Sequence, residues 1–129
     1  ITWRRFESSG RSAEIMVTDI DLKTGETSNL KTLTDSKAIS WAPYFHPSGK
    51  YIVYSTNIQG HRNFELYMVG TNGKSKPVRV TFTDGFDGLP VFTPRGNSIS
   101  WSSERTVNHK SQIFMGKWNH QEALKQLGL

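Results

Sequence analysis

The sequence predicts an all-β chain, and three observations carry that prediction. A block of about 47 residues recurs, each block holds short extended runs separated by Pro- and Gly-containing turns, and those runs are apolar on both faces. Ala42–Ser55 lies over Leu89–Ser102 without a gap, with Pro, Phe, Pro, Gly, Ile and Ser identical, and Glu65-Leu66-Tyr67 falls over Gln112-Ile113-Phe114 at the same offset of 47. The start of the chain fits at an offset of 51, with Ile1-Thr2-Trp3 over Ile52-Val53-Tyr54 and Glu14-Ile15 over Glu65-Leu66. The chain therefore holds about two and a half units: part of one in residues 1–39, a whole one in 40–84, and most of a third in 85–118.

The complete unit gives the elements in order. Trp41 to Phe45 is short and extended, and His46-Pro47-Ser48-Gly49 places Pro and Gly where a tight turn wants one fixed and one permissive φ. Tyr51 to Thr56 is rich in β-branched and aromatic residues, Asn57 to Asn63 is a polar loop containing Gly60, and Phe64 to Val69 is a third strand. After the turn Gly70 to Pro77, Val78 to Phe82 makes a fourth. Runs such as Tyr51-Ile52-Val53-Tyr54 do not alternate apolar with polar, so each sheet needs a neighbour on either side. Radial stacking of four-stranded antiparallel blades meets that need, and 40 to 50 residues is about the period of a β-propeller.

Propeller rings close with roughly four to eight blades, so two and a half blades leave the ring open. The chain begins at Ile1, without Met and inside an extended run, which fits a segment of a longer polypeptide or one subunit of a ring built by several chains. Residues 119–129 leave the strand pattern and read as a short C-terminal helix or linker. Asn119 suits an N-cap with Glu122 three residues on, and Gly128 suits a stop. Ala123, Leu124 and Leu127 would then pack on the blade, a following domain or a partner chain.

Composition narrows the function. With 129 residues, 35% hydrophobic and 12% aromatic, the chain is one domain in size and can bury a core. It has no Cys, hence no disulfide framework, thiolate metal site or cysteine nucleophile. No apolar run approaches the roughly 20 residues of a membrane-spanning helix. The net charge of +5 arises entirely beyond residue 40, but its ten basic residues are scattered rather than striped and interleaved with aromatics, which argues against nucleic acid.

The segments Phe45–Tyr54 and Phe92–Trp101 resemble the repeat of TolB-like propellers, Pro-x-[Trp/Phe]-Ser-Pro-Asp-Gly-Lys-x-Ile-x-[Phe/Tyr]-x-Ser. Phe64–Val69 and Gln112–Met115 are similar to its Glu-Ile-Tyr-x-[Met/Val] strand, and Val80–Asp84 to its Leu-Thr close. The resemblance runs over residues 1–118 and departs where the turn Asp is Ser48 in one unit and Arg95 in the other. It implies a non-catalytic protein-interaction or scaffold module in a periplasmic or exported setting, compatible with association with a membrane complex and needing no cofactor. Its partners would be other protein chains or the remaining blades. The alternative it implies is an accessory propeller that gates substrate for a serine or metallopeptidase domain, with a lyase-type site third.

Motifs of chemistry are sparse. His46, His61, His109 and His120 include no i, i+4 metal pair and read as solvated loop residues, so no metal site is assigned. Gly70-Thr71-Asn72-Gly73-Lys74-Ser75 has Met68 where a phosphate loop needs its first Gly, and no Gly-x-Ser-x-Gly elbow occurs. Ser55 and Ser102 recur with the repeat, which points to strand packing. In propellers of the resembled type, the loops between second and third strands and between blades line the face around the channel. Here these are residues 57–63, 84–88 and 104–110, so the partner-binding candidates are His61, Arg62, Asp84, Asp87 and Arg105, joined by Leu124 and Leu127 of the tail.

Overall fold

The computed structural model describes residues 1–129. The elements run β1 (Thr2–Phe6), β2 (Ala13–Ile20), β3 (Thr27–Thr32), β4 (Ser40–Phe45), β5 (Tyr51–Thr56), β6 (Glu65–Gly70), β7 (Val78–Arg79), β8 (Asp87–Phe92), β9 (Ser98–Ser103), β10 (Gln112–Lys117) and α1 (His120–Leu127). They form three antiparallel meander sheets, β1-β2-β3, β4-β5-β6-β7 and β8-β9-β10, which are the three sequence units as blades. The first lacks an innermost strand and the third an outermost one.

Two apolar seams hold the blades together. Ile15, Val17 and Leu33 of the first blade pack on Ile52, Tyr54, Tyr67 and Val69 of the second. On its opposite face, Tyr51, Val53, Leu66 and Met68 pack on Phe92 and Ile99 of the third. All twelve residues of β5 and β6 are buried, which is why their sequence is apolar on both faces.

The inner strands β4 and β8 carry the same bulge. Register shifts between Trp41 and Tyr44 and between Gly88 and Val91, and Ala42 and Leu89, 47 residues apart, hold left-handed φ values of 49° and 56°. Each precedes a Pro. The bulge frees the Leu89 N–H, which donates to Ser55 Oγ of the neighbouring blade at 3.1 Å, so this recurring Ser pins one blade to the next.

The fourth strand is shorter than the sequence suggests. The expected run Val78–Phe82 is a strand only over Val78–Arg79 because a buried carboxylate diverts the rest. Thr81 Oγ1 and the Arg79 guanidinium both donate to Glu65, the Thr81 hydroxyl also accepts from the Leu66 N–H at 2.8 Å, and Val80 N–H turns to the Leu66 carbonyl. The first blade repeats the device: Thr34 Oγ1 donates to Glu14 and accepts from the Ile15 N–H at 2.9 Å.

In the third blade, residues at the sequence place of a fourth strand form α1 instead. Asn119 Oδ1 accepts from the Glu122 N–H at 3.1 Å, and Gly128 closes the helix at φ 67°. Ala123 and Leu127 are buried in the seam between second and third blades, with Leu124 and Trp118 packed beside them.

Candidate functional site

The loop face is assembled from the turn before β2, the connection 35–39, the loop 57–63 and the connection 83–87. Backbone bonds stitch these segments across blades: Ala13 N–H to the Ala38 carbonyl, Asn57 N–H to Ile39, and Phe64 N–H to Gly85. Ile39 N–H donates to Asn57 Oδ1 at 2.8 Å, fixing the loop after β5 against the first connection.

Between first and second blades these loops line an open cavity of about 600 Å³, with Gly10, Arg11, Lys37, Asn57, Gly60 and His61 among ten lining residues of which none is acidic. The side chains of Arg11 and Lys37 form no ion pair; the chain's two ion pairs are Arg79–Glu65 and Arg105–Asp87. Lys37 sits at φ 55°, a strained backbone held by its N–H donating to buried Glu14 Oε1 at 3.2 Å.

Trp41, Phe64 and Phe86 form a triangle with centroids 6.0–6.2 Å apart. The Arg4 guanidinium lies 4.8 Å from the Phe6 ring and 6.0 Å from that of Trp41. Trp41 Nε1 and, next to Phe64, Asn63 Oδ1 are buried without a hydrogen-bond partner. Toward the channel, the bulged strands β4 and β8 flank a more apolar cavity of about 720 Å³ lined by Pro43, Tyr44, Val91 and Pro94 among others.

The candidates from sequence divide. His61 lines the polar cavity, and Arg62 and Asp84 are exposed on the loop face. Asp87 does not belong with them. It is fully buried, accepting from Trp101 Nε1 at 3.2 Å and Arg105 at 2.8 Å, so its carboxylate is engaged within the blade. Arg105 also stacks over Trp101 and Phe114, each at 5.2 Å, which leaves its charge compensated. Leu127 is buried and the partly buried Leu124 packs on the same cluster, so both contribute to the chain's own core.

His46 is not a solvated loop residue either, being 4% exposed. Its ring stacks on His120 at 4.3 Å and on Tyr51 at 4.6 Å. Nε2 must donate to the Gly96 carbonyl at 3.1 Å, leaving Nδ1 to accept from the Ser48 N–H at 3.1 Å and its hydroxyl at 2.9 Å. Burial lowers its pKa below 6.5, the Gly96 bond opposes that, and the neighbouring His120 adds to it. Trp118 Nε1 donates to Tyr51 Oη at 2.7 Å, whose proton goes to His120 Nδ1 at 3.0 Å; burial pushes the Tyr51 pKa up to about 12. This knot ties α1 to two blades.

Arg11 and Lys37 escape a reading of isolated motifs. The repeat held the signal for Arg11, because the offset of 51 lays it over Arg62.

No family model and no curated protein matches the chain. Among solved structures, TolB from Acinetobacter baumannii matches with a TM-score of 0.69 and 26% identity over 92% of this chain and 27% of its own. A structure from Agrobacterium tumefaciens described as a TolB matches with a TM-score of 0.69 and 16% identity over 91% of this chain and 41% of its own. The chain thus spans between about a quarter and two fifths of the length of these proteins. Its blades are those of a TolB-like β-propeller.

Proposed function

We propose that the chain is a non-catalytic protein-interaction module of the TolB-like propeller type, acting as part of a larger protein or complex in a periplasmic or exported setting. One observation carries the reading. The buried carboxylates Glu14, Glu65 and Asp87 and the imidazole of His46 are each engaged in internal hydrogen bonds, whereas Arg11, Lys37, His61 and Arg62 stand without ion pairs on the loop face. A catalytic site needs a pair of groups poised on a reacting atom; a docking face needs free polar groups around an apolar patch. The likeness to TolB supports the same reading.

The test is to isolate the chain from its native source under non-dissociating conditions, measure the intact polypeptide mass, and map crosslinks to copurifying proteins. Crosslinks to residues 57–63 and 84–88 support the module. A peptidase domain on the same polypeptide, or a partner crosslinked only away from the loop face, would overturn it.

A further inference from the structure

The loop-face cavity between the first two blades has a more specific chemistry than a general docking face. Arg11, Lys37 and His61 converge on it from three loops, no acidic residue lines it, and the side chains of Arg11 and Lys37 have no ion-pair partner. The nearby carboxylate of Glu14 is buried and already accepts from Thr34 Oγ1 and the Lys37 N–H. Glu7 and Asp35 stand close in sequence to Arg11 and Lys37, but neither lines the cavity or forms an ion pair with them, so the lining itself carries only positive charge, on a chain whose other basic residues are scattered.

The backbone decides which anion fits. Phosphate sites use runs of free N–H groups, but here those of Gly10, Lys37, Ala38, Ile39 and Gly60 donate to acceptors within the chain, and the free ones, of Ser36, Ile58 and His61, are not consecutive and form no run. Recognition falls to side chains, and the planar fork of an Arg matches a carboxylate with two parallel bonds. No Phe, Tyr or Trp lines the cavity as a platform for a nucleobase, and its one ring is the imidazole of His61. A volume of about 600 Å³ holds one or two side chains of a peptide.

We infer that this cavity takes the carboxylates of an acidic segment on a partner protein, with Arg11 and Lys37 as its main ligands and His61 at its rim. The inference rests on the interaction-module reading and names the partner's chemistry.

The probe is a fluorescein-labelled, amidated decapeptide carrying four Asp or Glu residues, titrated onto the full chain by anisotropy. Its counterpart has Asn and Gln at those positions. Expected are binding of the acidic peptide that weakens between 50 and 300 mM salt, a loss of about fivefold in Arg11→Ala or Lys37→Ala and more in the double variant, and no change in Lys74→Ala or Lys76→Ala at the opposite end of β6. These residues are exposed, and matching thermal melts show that the variants fold. Equal binding of the amide peptide, no loss in the double variant, no binding of the acidic peptide, or equal competition by single-stranded oligonucleotide would each overturn the inference. If it fails while native partners still crosslink to residues 57–63, the module reading stands and only the carboxylate chemistry falls.

Discussion

The second and third blades are copies of one repeat at an offset of 47 residues and live in different surroundings. Leu66 is 1% and Met68 3% exposed, while their repeat counterparts Ile113 and Met115 are 78% and 70% exposed. Ser55 holds the bulge of the next blade through Leu89, whereas Ser102, its counterpart, has no following bulge to bond. Burial in this architecture is conferred by the neighbour and not by the blade. The far face of the third blade keeps Ile113, Met115 and Ser102 where the second uses Leu66, Met68 and Ser55 at its seam, while Ser98 and Ser100 replace Tyr51 and Val53, so it is suited to receive another blade, and uncovered its apolar edge is an aggregation hazard.

The largest expected effect breaks that comparison most directly. Leu66→Ala should cost about 2–5 kcal/mol in urea unfolding, through lost burial and a cavity in the seam, while Ile113→Ala should change stability by less than about 0.5 kcal/mol. A large cost at Ile113 would show that a neighbour covers the third blade in solution, and native mass under the same conditions would reveal it.

Next comes the carboxylate device, which the third blade has lost. Glu65→Ala leaves the Thr81 hydroxyl and the half-buried Arg79 without their acceptor, an expected loss of about 2–3 kcal/mol. Gln112→Ala at the equivalent exposed place should stay within about 0.5 kcal/mol by thermal melting. Equal losses would mean that the exposed strand β10 is held by contacts outside the chain.

Two turn glycines sharpen the comparison further. Gly49 and Gly96 are repeat counterparts with φ of 71° and 68°, so Ala at either meets the left-handed penalty of about 1–2 kcal/mol. A Cβ at Gly49 meets nothing, but one at Gly96 would stand 2.5 Å from His46 Nε2. Gly96→Ala should therefore be the worse by roughly 1 kcal/mol in paired melts.

What the sequence showed and hid follows the same division. The repeat was legible because turn residues and apolar runs recur at fixed spacing: His46-Pro47-Ser48-Gly49 and Thr93-Pro94-Arg95-Gly96 each turn where expected, and the cap at Asn119 and stop at Gly128 frame α1. Contacts between blades were not legible, since they join residues about 50 apart that no local pattern links. Asp87, exposed by its Gly-flanked sequence, is drawn inside by Arg105 and Trp101. His46, a turn residue by sequence, is buried because the third blade and α1 close over it. Of the site, the loops were readable from the repeat, but the pairing of Arg11 with Lys37 in one cavity needed the fold.

The subtlest expected effect comes from His46. Its neutral form is fixed at both nitrogens, by Gly96 as acceptor and Ser48 as donor, and a proton on Nδ1 would end the Ser48 bonds and place a charge against the stacked His120. No carboxylate forms an ion pair with it, and the Tyr51 hydroxyl stays neutral with its pKa near 12. The folded pKa therefore lies below 6.5, and the unfolded chain binds the proton first. Stability from this group is complete above pH 6.5 and is lost as pH falls from there through the folded value, with a slope of at most about 1.4 kcal/mol per pH unit. Urea midpoints measured between pH 8 and pH 5 should show this decline, and His46→Gln should flatten it while lowering stability at pH 8. An unchanged slope in the variant would assign the acid sensitivity to other groups and leave the knot around α1 indifferent to pH.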